Sequence, residues 1–169
     1  MERPSKDGYY LNIAKIVGRR STCLRRKFGA VIVVDDAIVS TGYNGPARGV
    51  VNCEEVGCAK DLANIPSYQG YDVCPAVHAE ENAVINAARL GAKVLGGTLY
   101  IVGQSPDGKP VPSHPCDRCK RVLINAGIER VVTENENGDI IVFNVKDWIR
   151  YDTDKYKKLV EDLKKSKQG

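Results

Sequence analysis

Two short motifs in the sequence combine the residue types that bind and activate zinc. The first is His78-Ala79-Glu80, and the second is Pro115-Cys116-Asp117-Arg118-Cys119. One imidazole and two thiolates make three protein ligands for tetrahedral zinc, which leaves the fourth position for water. A His-x-Glu pair alone is commonly surface or helix-capping chemistry, and Cys-x-x-Cys alone also serves thiol–disulfide exchange. Together the motifs predict a catalytic zinc centre with ligands His78, Cys116 and Cys119.

The spacing of these residues predicts that two helix N-termini face one metal ion. Cys116 and Cys119 are three positions apart, so both sulfurs lie on one side of a helix. In the first turn, free N–H groups and the helix dipole favour anionic thiolates. His78 begins the other predicted helix, and Glu80 reaches the same pocket only if the substrate lies over the end of that helix.

Glu80 has the chemistry of a general base beside the metal. Two thiolate ligands donate more charge to zinc than neutral histidines do, so bound water loses its proton less readily. A carboxylate that accepts this proton could pass it to a ring nitrogen of the substrate and later to a leaving amine. Attack of hydroxide on an amino-bearing ring carbon with loss of ammonia is deamination, and zinc deaminases combine this signature with this role for glutamate.

The remaining cysteines are Cys23, Cys53, Cys58 and Cys74. Three of them lie in a long stretch, 44–77, that has little hydrophobic periodicity, and such connections are normally functional or held by a metal. We expect the four thiols to bind a second, structural zinc ion. Two other interpretations stay open at this point, namely isolated buried thiols and a reversible disulfide.

Hydrophobic patterns along the chain predict the element order α-β-β-α-β-α-β-β-α, which implies a mixed sheet covered by helices. The predicted helices are 9–17, 78–90, 116–126 and a C-terminal amphipathic stretch around 156–163, and the predicted strands are 28–34, 37–43, 98–103, 128–133 and 140–145. Residues 104–114 are predicted to be a loop. We expect one domain over 1–169, with a core at about 5–146 and a helical extension at about 147–169.

Composition excludes several classes of protein. The chain has 169 residues, of which 43% are hydrophobic and 27% charged, as is ordinary for a globular protein. No apolar run approaches the ~18 residues of a membrane span, and a net charge of +4 is too mild to indicate nucleic-acid binding. The first residues lack an apolar segment of the secretory type, so we expect a cytoplasmic protein whose cysteines serve metal binding or catalysis.

The sequence resembles the cytidine/deoxycytidylate deaminase superfamily, and it is most similar to the deoxycytidylate (dCMP) deaminase branch. The segments that carry the resemblance are Gly29-Ala30-Val31-Ile32-Val33, Gly42-Tyr43-Asn44-Gly45-Pro46, His78-Ala79-Glu80-Glu81-Asn82-Ala83, Pro115-Cys116-Asp117-Arg118-Cys119 and Ile124-Asn125-Ala126-Gly127-Ile128. The resemblance implies a three-layer α/β/α fold with a five-stranded mixed sheet and a homo-oligomer, from a dimer to a hexamer. The sequence departs from the family pattern in the long loop 104–114 and in the turn at Asn137-Gly138.

The same resemblance implies particular roles around a nucleotide. Asn44 would hydrogen-bond the sugar or base, and the backbone at Ala79 would hold the pyrimidine carbonyl. The loop 42–49 would be a nucleotide loop at which dCTP activates and dTTP inhibits some members. Some dCMP deaminases also carry a second, structural metal near this region.

Basic residues near the predicted site are candidates for a phosphate contact, because arginine matches phosphate geometry. They are Arg25, Arg26, Lys27 and Arg48, each of which is individually also explained as a solvated charge. His114 borders Pro115, and we expect it to form part of the pocket wall rather than a fourth metal ligand.

These patterns favour zinc-dependent conversion of dCMP to dUMP and ammonia. Other substrates in the same superfamily remain alternatives: CMP, cytidine, tRNA adenosine or a riboflavin-pathway intermediate. A non-catalytic zinc-binding interaction protein would have no use for a carboxylate such as Glu80. A thiol oxidoreductase would oxidise Cys116 and Cys119 readily and would not need His78.

Overall fold

A mixed β-sheet forms the middle layer of the protein, and the computed structural model describes residues 3–67 and 69–167. The strands within these residues are β1 (Lys27–Val34), β2 (Ala37–Tyr43), β3 (Gly45–Pro46), β4 (Ala76–Val77), β5 (Thr98–Gln104), β6 (Pro110–Val111), β7 (Arg130–Glu134) and β8 (Ile140–Asn144). The main sheet has the order β2-β1-β5-β7-β8, and the short β6 pairs with β5. Only β5 and β7 pair in parallel among these neighbours, while β3 and β4 form a separate antiparallel pair.

Helices cover both faces of this sheet. They are α1 (Lys6–Gly18), α2 (Cys53–Val56), α3 (Ala59–Leu62), α4 (Ala79–Leu90), α5 (Asp117–Asn125) and α6 (Val145–Ser166). Successive residues of a strand point to opposite faces, so Val31 packs with Leu11 of α1. Ile32 packs on the other face with Ala83 of α4 and Leu123 of α5. The predicted three-layer α/β/α architecture is therefore confirmed.

Gly42 on β2 allows α4 to approach the sheet closely at the end that carries the first motif. A Cβ atom at Gly42 would lie 2.3 Å from the carbonyl oxygen of Ala79 and 2.3 Å from the backbone nitrogen of Ala83. Real side chains never come so close, so any larger residue would push the first turns of α4 away from β2. The absence of a side chain at Gly42 thus sets the position of Ala79 and Glu80.

The predicted five-stranded mixed sheet is confirmed, and β6 adds a short sixth strand inside the region predicted to be a loop, 104–114. The stretch 44–77 contains two one-turn helices and the β3–β4 pair, which its weak periodicity did not indicate. The last helix begins at Val145, earlier than predicted, because the side chain of Asn144 accepts a hydrogen bond from the backbone N–H of Lys146 (3.0 Å) and caps the helix.

The ends of the predicted domain, residues 1–2 and 168–169, lie outside the described residues. Within residues 3–67 and 69–167, no helix has the length and apolarity needed to cross a membrane.

Candidate active site

The three predicted metal ligands lie at the N-termini of two helices that meet on one side of the sheet. His78 is the N-cap residue of α4, Cys116 is the N-cap residue of α5, and Cys119 follows in the first turn of α5. The His78 Nδ1 atom lies 3.6 Å from the Cys116 Sγ and 3.3 Å from the Cys119 Sγ. Tetrahedral zinc, with bonds of ~2.0 to 2.3 Å, holds its ligand atoms roughly 3.5 to 3.8 Å apart. The donor set and its spacing therefore fit zinc.

No other group of three or more His, Cys, Asp or Glu residues within the described ranges has its ligand atoms within 4.8 Å of one another. The site has three protein ligands, as a catalytic zinc centre requires, rather than the four of a structural one.

Electrostatics in this group favour a thiolate at neutral pH. Hydrogen bonds from Cys119 and His78 lower the pKa of Cys116 to about 3, with the bond from Cys119 as the larger cause. The same bond with Cys116 raises the pKa of Cys119, and burial raises it further. The hydrogen bond with Cys116 also raises the pKa of His78. Because zinc binds thiolate and neutral imidazole, Cys116 is already in its metal-binding form, whereas Cys119 and a protonated His78 would each release a proton to the solvent when the metal binds.

Glu80 lies in the first turn of α4 and is 5% exposed. Burial raises the pKa of its carboxyl to about 7, and interactions with His78 and Cys119 oppose part of that rise. A group with a pKa near the working pH can both accept and release a proton. Glu80 lines the same cavity as His78 and Cys116, so the structure brings the predicted base and the predicted ligands together.

Glu81 joins the two helix starts that carry the ligands. Its Oε2 accepts a hydrogen bond from the backbone N–H of His78 (3.1 Å) and another from the guanidinium of Arg118 (2.8 Å). Arg118 lies between the two cysteines in sequence, so one carboxylate ties α4 to α5 beside the metal site. This contact was not predicted from the sequence, although a glutamate three residues after an N-cap is the signal of a capping box.

Asn44 and Ala79, the predicted substrate contacts, line the cavity that holds Glu80. The Asn44 side chain accepts a hydrogen bond from the Phe28 N–H (2.7 Å) and donates one to the carbonyl oxygen of Arg26 (3.0 Å). These bonds fix the amide at the end of β2, and an asparagine amide has a second N–H available to a ligand. Ala79 is fully buried, next to Gly42.

Four further cysteines also line this cavity, namely Cys23, Cys53, Cys58 and Cys74. All are free thiols. Burial raises the pKa of Cys53, and the neighbouring Cys23, Cys58 and Cys74 raise it further, which places all four in one neighbourhood. Their sulfur atoms do not form a group of three within 4.8 Å. The expected second metal site stays a prediction.

The candidate phosphate contacts differ in position. Arg25 and Arg26 line the cavity, whereas Lys27 and Arg48 are absent from its lining. Arg25 donates to the carbonyl oxygen of Ile65 (3.0 Å) and pairs with Asp61 (3.2 Å).

The other two candidate phosphate contacts, Lys27 and Arg48, each have a side-chain partner. Lys27 lies 3.4 Å from the Glu54 carboxylate, and Arg48 donates to the side chain of Asn86 (2.8 Å). His114 is exposed and lines the cavity, at the position that we expected for a wall residue.

An α/β/α fold that presents three zinc ligands and a buried carboxylate in one cavity defines a metal-dependent hydrolytic site. The family model of the cytidine and deoxycytidylate deaminase zinc-binding region matches residues 4–135. The chain belongs to this family of zinc-binding deaminase domains, and His78, Cys116 and Cys119 form a group that could hold the zinc ion.

Comparison with individual proteins agrees with this family. The chain is 37% identical over 142 residues to the deoxycytidylate deaminase of Mycobacterium phage D29, which covers 81% of this chain and 100% of the phage protein. It is 34% identical over 132 residues to the deoxycytidylate deaminase of Schizosaccharomyces pombe, but that match spans 77% of this chain and only 37% of the yeast protein. The crystal structure of dCMP deaminase from the cyanophage S-TIM5 superposes with a TM-score of 0.57 at 25% identity, covering 79% of this chain and 86% of the phage chain.

Proposed function

We propose that this protein converts dCMP and water to dUMP and ammonia. The observation that carries the proposal is the buried carboxylate of Glu80 beside the three-ligand metal site in one cavity. A purely structural zinc site would gain nothing from a buried acid next to an open coordination position. Relatives that carry the name deoxycytidylate deaminase, including the phage D29 protein over its whole length, support dCMP as the substrate.

Glu80 moves the protons of the reaction in this proposal. Zinc, when bound by the three ligands, acts as a Lewis acid that makes water a better nucleophile. The carboxylate takes a proton from the attacking water and delivers it to ring nitrogen N3 as a C–O bond forms at C4. It then transfers the second water proton to the amino group, the C–N bond breaks, and ammonia leaves. Its pKa of about 7 suits both transfers.

Two groups orient the nucleotide in this proposal. The second N–H of the Asn44 amide hydrogen-bonds the sugar, because the first is already held by the Arg26 carbonyl. The backbone of Ala79 at the start of α4 holds the pyrimidine carbonyl, since helix N-termini present free N–H groups.

A substrate panel tests the proposed function. The metal-replete protein is incubated with dCMP, CMP, dCTP, deoxycytidine and adenosine nucleotides, each with and without dCTP or dTTP as an effector. Loss of the cytosine absorbance and release of ammonia are measured together. We expect the highest kcat/KM for dCMP, whereas no turnover of any cytosine or adenine compound would overturn the proposal.

We also propose that Cys23, Cys53, Cys58 and Cys74 hold a second zinc ion. Their shared neighbourhood around one cavity supports this assignment. Metal analysis of the intact chain should then give two zinc ions per subunit. A count of one in protein with full activity would contradict the second site.

We propose that the chain is a single domain that forms a homo-oligomer through α6. Along this helix, apolar residues recur at spacings of seven, three and four positions: Ile149, Tyr156, Leu159 and Leu163, each at least 45% exposed. The first half of α6, residues 145–155, has three aspartates and three basic residues, and the second half, residues 156–166, has four lysines against two acidic residues. Pairing of α6 with the same helix of a second copy would cover the apolar stripe.

Sedimentation measurements on the full chain test this interface. Leu159→Asp should shift the protein to a smaller species, while Lys93→Asp, at an exposed site outside α6, should leave its size unchanged. An unchanged size for Leu159→Asp would contradict an interface on α6.

We propose a cytoplasmic location, supported by six free cysteines, which a reducing compartment preserves.

A further inference from the structure

Lys60 is a lysine with almost no contact with solvent. It lies in the short helix α3, is 8% exposed, and lines the same cavity as Glu80. A buried ammonium group is costly unless an anion compensates its charge. Lysine is among the residues least often found buried, so its position here needs an explanation.

The described part of the chain offers Lys60 no carboxylate partner. Its Nζ forms none of the ion pairs there. The adjacent acid, Asp61, pairs with Arg25 instead (3.2 Å). The partner that Lys60 does have is the ring of Tyr71, whose centroid lies 5.7 Å from Nζ. A cation–π contact orients an ammonium group but supplies no negative charge.

Tyr71 relates Lys60 to the reaction centre. The Tyr71 ring centroid lies 5.5 Å from that of His78, so the same tyrosine contacts both the ammonium group of Lys60 and a candidate metal ligand. A substrate with its pyrimidine over Glu80 and His78 would extend its sugar past Tyr71. Its phosphate would then reach the part of the cavity lined by Lys60 and Arg25.

We propose that Lys60 binds the phosphate of the substrate and makes the enzyme select a nucleoside monophosphate over a nucleoside. This assignment rests on the proposed function, because it takes a cytosine nucleotide as the ligand of the cavity. A phosphate supplies a charged hydrogen-bond acceptor for an ammonium that has no carboxylate partner, and an ammonium is a compact donor suited to it. Sequence spacing gave no sign of this role, since Lys60 lies in a stretch without periodicity.

Kinetics on two substrates test the assignment. Wild type, Lys60→Met, Lys60→Arg and the control Lys93→Met are compared on dCMP and on deoxycytidine. For Lys60→Met we expect kcat/KM on dCMP to fall about 10- to 100-fold, mainly through KM, as for the loss of a hydrogen bond between charged groups. Its kcat/KM on deoxycytidine should stay within about twofold of wild type, because that substrate has no phosphate. Lys60→Arg should restore part of the loss, and Lys93→Met should change neither substrate.

Two results would overturn the role of Lys60. An equal loss on dCMP and deoxycytidine would show that Lys60 only supports the fold around Tyr71. No loss on dCMP would show that the phosphate lies elsewhere.

Calorimetry separates the failure of this inference from the failure of the proposed function. Binding of dUMP and of deoxyuridine to the zinc-loaded protein is measured without turnover. If the wild type deaminates nothing, the proposed function fails, but a preference for dUMP that disappears in Lys60→Met still supports the phosphate contact. Equal affinity of the wild type and Lys60→Met for dUMP refutes it.

Discussion

Replacing Glu80 with glutamine removes the proposed proton carrier and changes little else. The amide has nearly the same shape as the carboxylate and keeps polar atoms in a site that is 5% exposed. It cannot accept a proton from water. His78, Cys116 and Cys119 are untouched, so Glu80→Gln should bind zinc as the wild type does.

The structure sets the size of the expected loss. General acid–base catalysis by one positioned group contributes about 10²- to 10⁴-fold, which corresponds to about 3 to 5 kcal/mol in the activation barrier. Glu80 serves two proton transfers in the proposed reaction, and its burial keeps bulk water from replacing it. We therefore expect kcat to fall by about 10³-fold or more.

The assay combines initial rates on dCMP with zinc analysis of the same sample. Glu129→Gln is the matched control, because Glu129 is exposed and lies outside the cavity lining. A Glu80→Gln protein that holds one zinc at the catalytic site and retains more than a tenth of the wild-type kcat would refute the role of Glu80. Loss of zinc together with activity would show instead that the carboxylate supports the metal site.

Three other substitutions test the site and the fold. Cys116→Ala should lose the catalytic zinc and activity together, and full zinc occupancy in metal analysis would contradict the ligand assignment. Glu81→Gln should weaken zinc binding about 10- to 100-fold in chelator competition, as is typical when a residue that orients a ligand is changed; unchanged affinity would rule out a positioning role. Asp7 contacts the Arg130 guanidinium at 2.7 Å and 3.0 Å, and that contact lowers the pKa of Asp7. A lowered pKa stabilises the fold at pH values above the unfolded-state pKa, and this stabilisation is lost as the pH falls through the folded-state pKa. Asp7→Asn should therefore lower the free energy of unfolding by about 1 kcal/mol at pH 7 and by less below pH ~4. A loss of stability that does not depend on pH would contradict this origin.

The grouping of His78, Cys116 and Cys119 could be predicted from sequence because the signals are local. His78 and the two cysteines each stand at the start of a helix whose end is marked by a glycine, Gly91 or Gly127. Local signals show where each helix begins, and the imidazole and thiol side chains indicate that the two helix starts bind the same metal ion. The long strands β1 and β2 could also be predicted from sequence, because their residues form continuous apolar or alternating runs.

Contacts between distant segments could not be read in this way. The side chain of Asn44 bonds to the backbone of Phe28 and Arg26 across two strands, and Lys60 enters the cavity from an irregular stretch. Neither residue lies in a stretch of regular hydrophobic periodicity that would indicate its burial. The boundary at Val145 was missed for a related reason, because an apolar residue fits both a strand end and a helix start, and only the cap at Asn144 decides between them.

The strand β2 positions two parts of the candidate site. Its Gly42 admits the first turn of α4, which carries Glu80, and Asn44 directly follows the strand and lines the same cavity as Glu80. The base and the predicted substrate contact are therefore set by one rigid element, and Glu81 extends that order to α5 through Arg118. These contacts are made by protein atoms, so the fold itself holds Glu80 beside the three candidate ligands.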